Sequence, residues 1–281
     1  QDAVLVNLYN NLAQVLEIIG QKEECETLYK KAIAIQEALY VENQETHIEL
    51  LGSIYNNICA YYRTENKYDE ALQCLEKCKK VCTARYEKNP VRGGRGLAEC
   101  YIHMAIVHDA MENKKEVIPT AEKGVAIYEY LYAINPNRFA IELSWAYRET
   151  GSWYILAGDI VSGIDKMEKS MSVLVCTENV YIKQHIREAM LTVFDSLSLI
   201  FRLLNESKEE RKVCMPLLHK IFKYGYEHLK ELGCANRKAY GEKAHFAFIE
   251  VLYKIGVELL DYYEKKDPDL AKTYYYQTLY T

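Results

Sequence analysis

The sequence predicts an all-α fold of repeated antiparallel helix pairs, and three observations carry that prediction. Tyr9, Tyr55, Tyr101 and Tyr147 recur at a constant step of 46 (55 − 9, 101 − 55, 147 − 101). Within each step the apolar residues follow helical spacing. The 281 residues include 5 prolines and 13 glycines, a scarcity that disfavours a loop-rich all-β chain and suits long helices.

Further columns keep the same step. Ala13, Cys59, Ala105 and Gly151 form one small-residue set, Cys25, Ala71, Val117 and Gly163 a second in which Val117 alone is bulky, and Ala32, Cys78, Gly124 and Ser170 a third. Tyr40, Tyr86 and Tyr132 keep it, as do Asn43, Asn89 and Asn135. Each unit divides into two amphipathic helices. Tyr9, Leu12, Ala13 and Leu16 lie at i, i+3, i+4 and i+7, Gly20 punctuates, and Cys25, Leu28, Tyr29, Ala32 and Ile35 form the face of the second helix. The pairs Asn89-Pro90 and Asn135-Pro136 close the second helices of units two and three, because proline disfavours helix in the residue before it. Small columns allow two helices to approach to ~8–10 Å, where larger side chains would wedge them apart.

These columns resemble the tetratricopeptide repeat, whose pattern runs through Tyr9, Leu12, Ala13, Leu16, Cys25, Tyr29 and Ala32 in unit one. Unit two matches at Tyr55, Ile58, Cys59, Tyr62, Ala71, Leu75 and Cys78. The resemblance is specific over residues 5–175. The common repeat has about 34 residues, so each unit here carries 12 more (46 − 34), or about 6 residues and ~9 Å per helix. The long form with Asn-Asn in the first helix looks like the kinesin light chain type and similar bacterial arrays. The resemblance implies a right-handed superhelical solenoid of about six hairpins, forming a single domain over 1–281. Regular units are expected at 5–50, 51–96, 97–142 and 143–180, and degenerate ones at 181–235 and 236–281. In the degenerate units Phe194, Leu197, Ser198 and Phe201, then Leu252, Ile255, Gly256 and Leu259, repeat the first-helix spacing. Cys214, Leu218 and Ile221, and then Ala271 and Tyr275, follow as second helices. End repeats diverge because they must cap the stack.

Composition narrows the function classes. A net charge of −5 argues against binding a phosphate backbone directly. No apolar run approaches the ~18–20 residues that span a bilayer. The 9 cysteines are odd in number, unlike a secreted scaffold, and no CxxC occurs, which favours reduced thiols and a cytoplasmic compartment. No signal peptide is evident. The apolar pattern begins almost at Gln1, so a fragment of a longer chain is expected.

By the resemblance, first helices line a concave groove. Its face positions are Asn7, Asn10, Gln14 and Glu17, then Ser53, Asn56, Ala60 and Arg63, then Glu99, Ile102, Ile106 and Asp109, then Trp145, Arg148, Ser152 and Ile155. Asn11 and Asn57 stand where related arrays hold a peptide backbone, and an amide both donates and accepts. The alternative is a solvated relic of the repeat. Of the other face residues, Trp145, Ile102 and Ile106 are candidate apolar anchors. Arg63 and Arg148 offer charge, with a surface ion pair as the plainer role. The third unit carries Glu99 and His103 where a two-carboxylate clamp needs basic residues, which argues against that ligand class. Cys74, Cys78 and Cys82 share a helix face, but Cys78 fills a small-residue column, so packing rather than metal is expected. The pairs Glu99/His103 and His108/Glu112 are likewise more ordinary than ligating. The cluster Asn89-Pro90-Val91-Arg92-Gly93-Gly94-Arg95-Gly96 lacks the Lys-Ser/Thr of a phosphate loop and is expected to be an inter-repeat turn.

The resulting expectation is a non-catalytic module, without cofactor or metal, that binds a protein or extended peptide in its groove. The alternative is the peptide-sensing half of a larger bacterial signalling or transcription protein. An enzyme would need a catalytic domain outside this chain, since no nucleophile–base or paired-carboxylate arrangement stands out.

Overall fold

The computed structural model describes residues 2–175, scattered helical positions between Lys212 and Lys223, and residues 242–279. Ten helices lie among the described residues: α1 (Asp2–Ile18), α2 (Lys22–Glu42), α3 (Gln44–Thr64), α4 (Tyr68–Lys88), α5 (Pro90–Ala110), α6 (Lys114–Ile134), α7 (Pro136–Leu156), α8 (Ile160–Val175), α9 (Glu242–Tyr263) and α10 (Pro268–Leu279). No strand occurs among them. The chain forms two compact units, 1–134 and 135–281.

The 46-residue step is a structural step. First helices begin at Gln44, Pro90 and Pro136 (90 − 44, 136 − 90), and α2 to α7 each have 21 residues. A periodic sequence does not define its own phase, and the hairpins start seven residues before the expected 51, 97 and 143. What sets the phase is the asparagine column. Asn43, Asn89 and Asn135 are single-residue connections between one hairpin and the next. Each turns the chain and then caps the new helix, its Oδ1 accepting from the N–H of Thr46, Arg92 or Arg138 at 3.0–3.2 Å. Such a cap contributes about 1 kcal/mol. Pro90 and Pro136 then occupy first-turn positions, where an N–H has no intrahelical partner to lose.

Within a hairpin the turn is equally regular. Gly20, Asn66, Glu112 and Gly158 all have positive φ, between 57° and 89°. The next residue's N–H reaches back across the helix end: Gln21 to the Leu16 carbonyl, Lys67 to Tyr62, Asn113 to His108, and Asp159 to Tyr154, at 2.8–2.9 Å. This closure satisfies carbonyls that a helix end leaves without partners.

The glycine cluster after Asn89 is a correction to the expected turn. Gly93, Gly94 and Gly96 lie inside α5. A Cβ on Gly93 would stand 2.5 Å from the Tyr86 nitrogen, and one on Gly94 would touch Leu131 and Ile127. Glycine is therefore used for close helix approach.

The small columns meet one another across each hairpin. Cys25 Sγ donates to the Ala13 carbonyl at 3.3 Å, and a Cβ on Gly163 would lie 2.9 Å from the Gly151 carbonyl. The third column faces Val6, Gly52, Ala98 and Ser144. Val6 and Ala32 share a core cluster, Cys78 Sγ points to the Gly52 carbonyl at 3.8 Å, and Ser170 Oγ donates to the Ser144 carbonyl at 2.9 Å. In the C-terminal hairpin Leu252, Ile255, Leu259 and Ala271 are buried, as their columns require. Tyr274 packs among Phe222, Tyr263 and His219. Phe194, Leu197, Ser198, Phe201, Cys214 and Ile221 lie outside the described residues.

Candidate functional site

In unit 1–134 the first helices are neighbours, α1 touching α3 and α3 touching α5. They form a row of helices that carries the predicted face positions. Asn11 and Gln14 are exposed on α1, Asn56, Asn57 and Arg63 are half-buried on α3, and His103 and Ile106 are half-buried on α5. Two amides are built into the structure. Asn57 Nδ2 donates to Asn10 Oδ1 at 2.9 Å, joining α1 to α3, and Asn10 Nδ2 leans on Asn11 Oδ1 at 3.4 Å. Asn10 is accordingly buried. Asn56 Oδ1 receives the weak thiol donor of Cys78 at 3.7 Å.

Ile102 does not lie on this face. It is fully buried, and its Cγ1 and Cδ1 occupy the space that a Cβ on Gly124 would need. The smallest side chain of its column leaves a void in α6, and Ile102 fills it. In unit 135–281 Ile155 is also buried, whereas Trp145 and Arg148 are half-buried on α7. The Arg148 guanidinium is paired with Glu149 and so offers less charge than its sequence position suggests.

The electrostatics of the row are set mainly by burial. Burial, and then the Arg63 charge, hold His103 down to a pKa of about 4, so the imidazole is neutral near pH 7. A neutral His103 beside Glu99 supplies no second cation for a carboxylate pair. Thiols do not offer chemistry here: burial raises Cys25 and Cys74 to about 11 and Cys59 to about 12, leaving them protonated. Cys78 and Cys82 lie 3.8 Å apart in the core, beside Gly52 and Gly96. Among the described residues no three His, Cys, Asp or Glu side chains are placed to hold a metal ion. None of their helices is long and apolar enough to cross a membrane.

Family models of the tetratricopeptide repeat match residues 6–39 and 51–89. Those two segments are tetratricopeptide repeats. Similar folds occur in solved structures. BtubC (BKLC) from P. vanneervenii is similar with a TM-score of 0.51 and 16% identity, over 62% of this chain and 64% of that one. The chain thus spans just under two thirds of that relative. A putative kinesin light chain of Podosopora anserina with nearly identical TPR-like repeats gives a TM-score of 0.54 at 12% identity, covering 86% of this chain and 99% of that one. A single-substitution variant of that protein gives 0.55 at 12% identity, over 80% and 96%. At such identities the likeness concerns the fold. No curated protein matches the chain by sequence.

Sequence reasoning missed that Asn57 and Asn10 join two first helices. The 47 residues between them correspond to one repeat plus one position, and that offset was the available signal. It also missed the burial of Ile102, which becomes legible only when Gly124 is read as its counterpart.

Proposed function

We propose that the chain binds an extended peptide or a protein segment across the first helices α1, α3 and α5 and does no chemistry of its own. Tetratricopeptide repeats are protein-interaction scaffolds, and one observation directs the reading to this face. Asn11 and Gln14 are exposed on α1, and Asn56 and Arg63 are half-buried on α3, while the Asn57–Asn10 bond fixes the spacing of these two helices. Amides in such a row match the alternating N–H and C=O of an extended chain. Ile106 and, on its own unit, Trp145 are the apolar anchors. Arg63, with His103 neutral, favours a single acidic group over a pair.

A fluorescent peptide-library screen on the purified chain tests this, beside an Asn11→Ala/Asn56→Ala variant and an Arg63→Glu variant. Neither variant removes the Asn57–Asn10 bond. Selected peptides should lose at least about tenfold in affinity on the amide variant, as expected for two hydrogen bonds of about 1 kcal/mol each. Binding unchanged in both variants would move the site off this row. An absence of peptide binding would overturn the peptide reading.

A further inference from the structure

One column of the row changes sign from helix to helix. Glu17 on α1, Arg63 on α3 and Asp109 on α5 are one repeat apart (63 − 17, 109 − 63). Glu17 and Arg63 are half-buried and Asp109 is exposed. Arg63 and Asp109 each follow an earlier hairpin, so the position stays open to solvent inside the array and does not depend on where the chain starts. Other charges at this end of the helices satisfy one another. Lys22 pairs with Glu65 at 2.9 Å, and Glu26 pairs with Lys30 and Lys67 at 2.6–2.7 Å. Glu17 and Arg63 stand outside these pairs. Glu17 Oε2 accepts the Tyr29 hydroxyl at 3.3 Å, and among the described residues no cation is paired with Glu17 and no carboxylate with Arg63. A partner's opposite charge can meet such groups without first breaking an ion pair, and alternating signs reject a ligand whose charges come in the wrong order.

The spacing of the helices selects the ligand's conformation. Packed helices lie ~8–10 Å apart, and the Asn57–Asn10 bond of 2.9 Å ties α1 to α3. A polyproline-II strand has three residues per turn and rises ~3.1 Å per residue, so every third side chain returns to one face after ~9 Å. In a β-strand the third residue on points to the opposite face. Polyproline II also makes no internal hydrogen bonds, which leaves its N–H and C=O groups to amides such as Asn11 and Asn56.

We propose that the row takes a peptide in polyproline-II conformation whose acidic residue meets Arg63 and whose basic residues, three positions to either side, meet Glu17 and Asp109. This rests on the reading of α1, α3 and α5 as a peptide-binding row, and it adds the ligand's charge order and conformation. Exposed ion pairs contribute little each, so the pattern sets the register of the peptide more than its total affinity.

A randomised peptide library selected on the purified chain at low salt tests the proposal, followed by titration of three synthetic peptides. The first has the order Lys-x-x-Glu-x-x-Lys. The second, Lys-x-x-Lys-x-x-Glu, keeps composition and net charge but changes the order, and the third, Lys-x-Glu-x-Lys, shortens the spacing. Selected peptides should carry the first pattern, and the first peptide should bind at least about fivefold more tightly than either of the others. The difference should shrink in roughly 0.5 M salt. A Glu17→Lys/Arg63→Glu variant, checked by circular dichroism, should lose the preference. Selected peptides without this pattern, equal affinity for the three, or a preference kept by the variant would overturn the charge order while leaving the peptide reading in place. A library that yields no binder would overturn both.

Discussion

Replacing Gly124 with alanine sets helix propensity against packing, and the structure decides the sign. Gly124 lies inside α6, where glycine costs about 1 kcal/mol relative to alanine. Propensity alone therefore predicts stabilisation by that amount. A Cβ at Gly124, however, would sit 2.9 Å from the Ala98 carbonyl oxygen, 2.9 Å from Ile102 Cδ1 and 3.0 Å from Ile102 Cγ1. Favourable contacts between carbons lie near ~3.5–4.0 Å. Ile102 can rotate at a cost of about 0.5–1.5 kcal/mol, but the Ala98 carbonyl belongs to the α5 backbone, so α5 and α6 must also part slightly. Overpacking of this kind costs about 1–3 kcal/mol. After subtracting the propensity gain, Gly124→Ala should destabilise by up to about 2 kcal/mol. The urea midpoint falls accordingly, and the melting temperature drops by roughly 2–4 °C per kcal/mol. Ile102→Val removes Cδ1 and costs about 0.5–1.5 kcal/mol by itself. In that background Gly124→Ala should cost less by at least about 0.5 kcal/mol, a coupling expected of residues in contact. Stabilisation by Gly124→Ala in the parent, or a cycle that is additive, would refute the packing argument.

Two further outcomes follow from the turns and the ion pairs. Glu112 holds a positive φ of 59° where its column otherwise has glycine or asparagine, so Glu112→Gly should raise stability by up to about 1 kcal/mol in thermal unfolding. Glu26 accepts from Lys30 and from Lys67 at 2.6–2.7 Å, which lowers its pKa from 4.5 to about 2. A lowered carboxylate contributes stability that is present above its unfolded pKa and lost as pH falls through the folded value. With both lysines largely in water the contribution is about 1 kcal/mol, so unfolding followed from pH 5 to pH 2 should have a shallower acid slope in Glu26→Gln.

The fold was legible because its regularities are local. Tyr9 to Tyr147 gave the period, Gly20 located a turn, and the asparagine column proved to be the caps. Each of these depends on a residue's own backbone or on neighbours within one helical turn. The phase of the hairpins was not legible from period alone, since Asn43 is both the end of one unit and the start of the next. The glycines at 93, 94 and 96 misled for a related reason. A glycine that opens a turn and a glycine that admits a neighbouring helix look alike until the neighbour is placed, here Tyr86 and Leu131.

The candidate site was less legible because exposure on a first helix is settled by two columns together. Asn10, Asn56, Ile102 and Arg148 share one column, and Ala32, Cys78, Gly124 and Ser170 stand in the other. Where the second column holds cysteine, its thiol reaches the amide of Asn56, which stays half-buried at the surface. Where it holds glycine, the void admits Ile102 entirely. Column membership fixes where a Cα lies on the helix, whereas the partner column fixes how far the side chain sinks. Reading the two columns as pairs places Asn56 and Arg148 at the surface and Ile102 in the core. It leaves the proposed binding row to the amides, Arg63 and Ile106, and assigns Ile102 to holding α5 against α6.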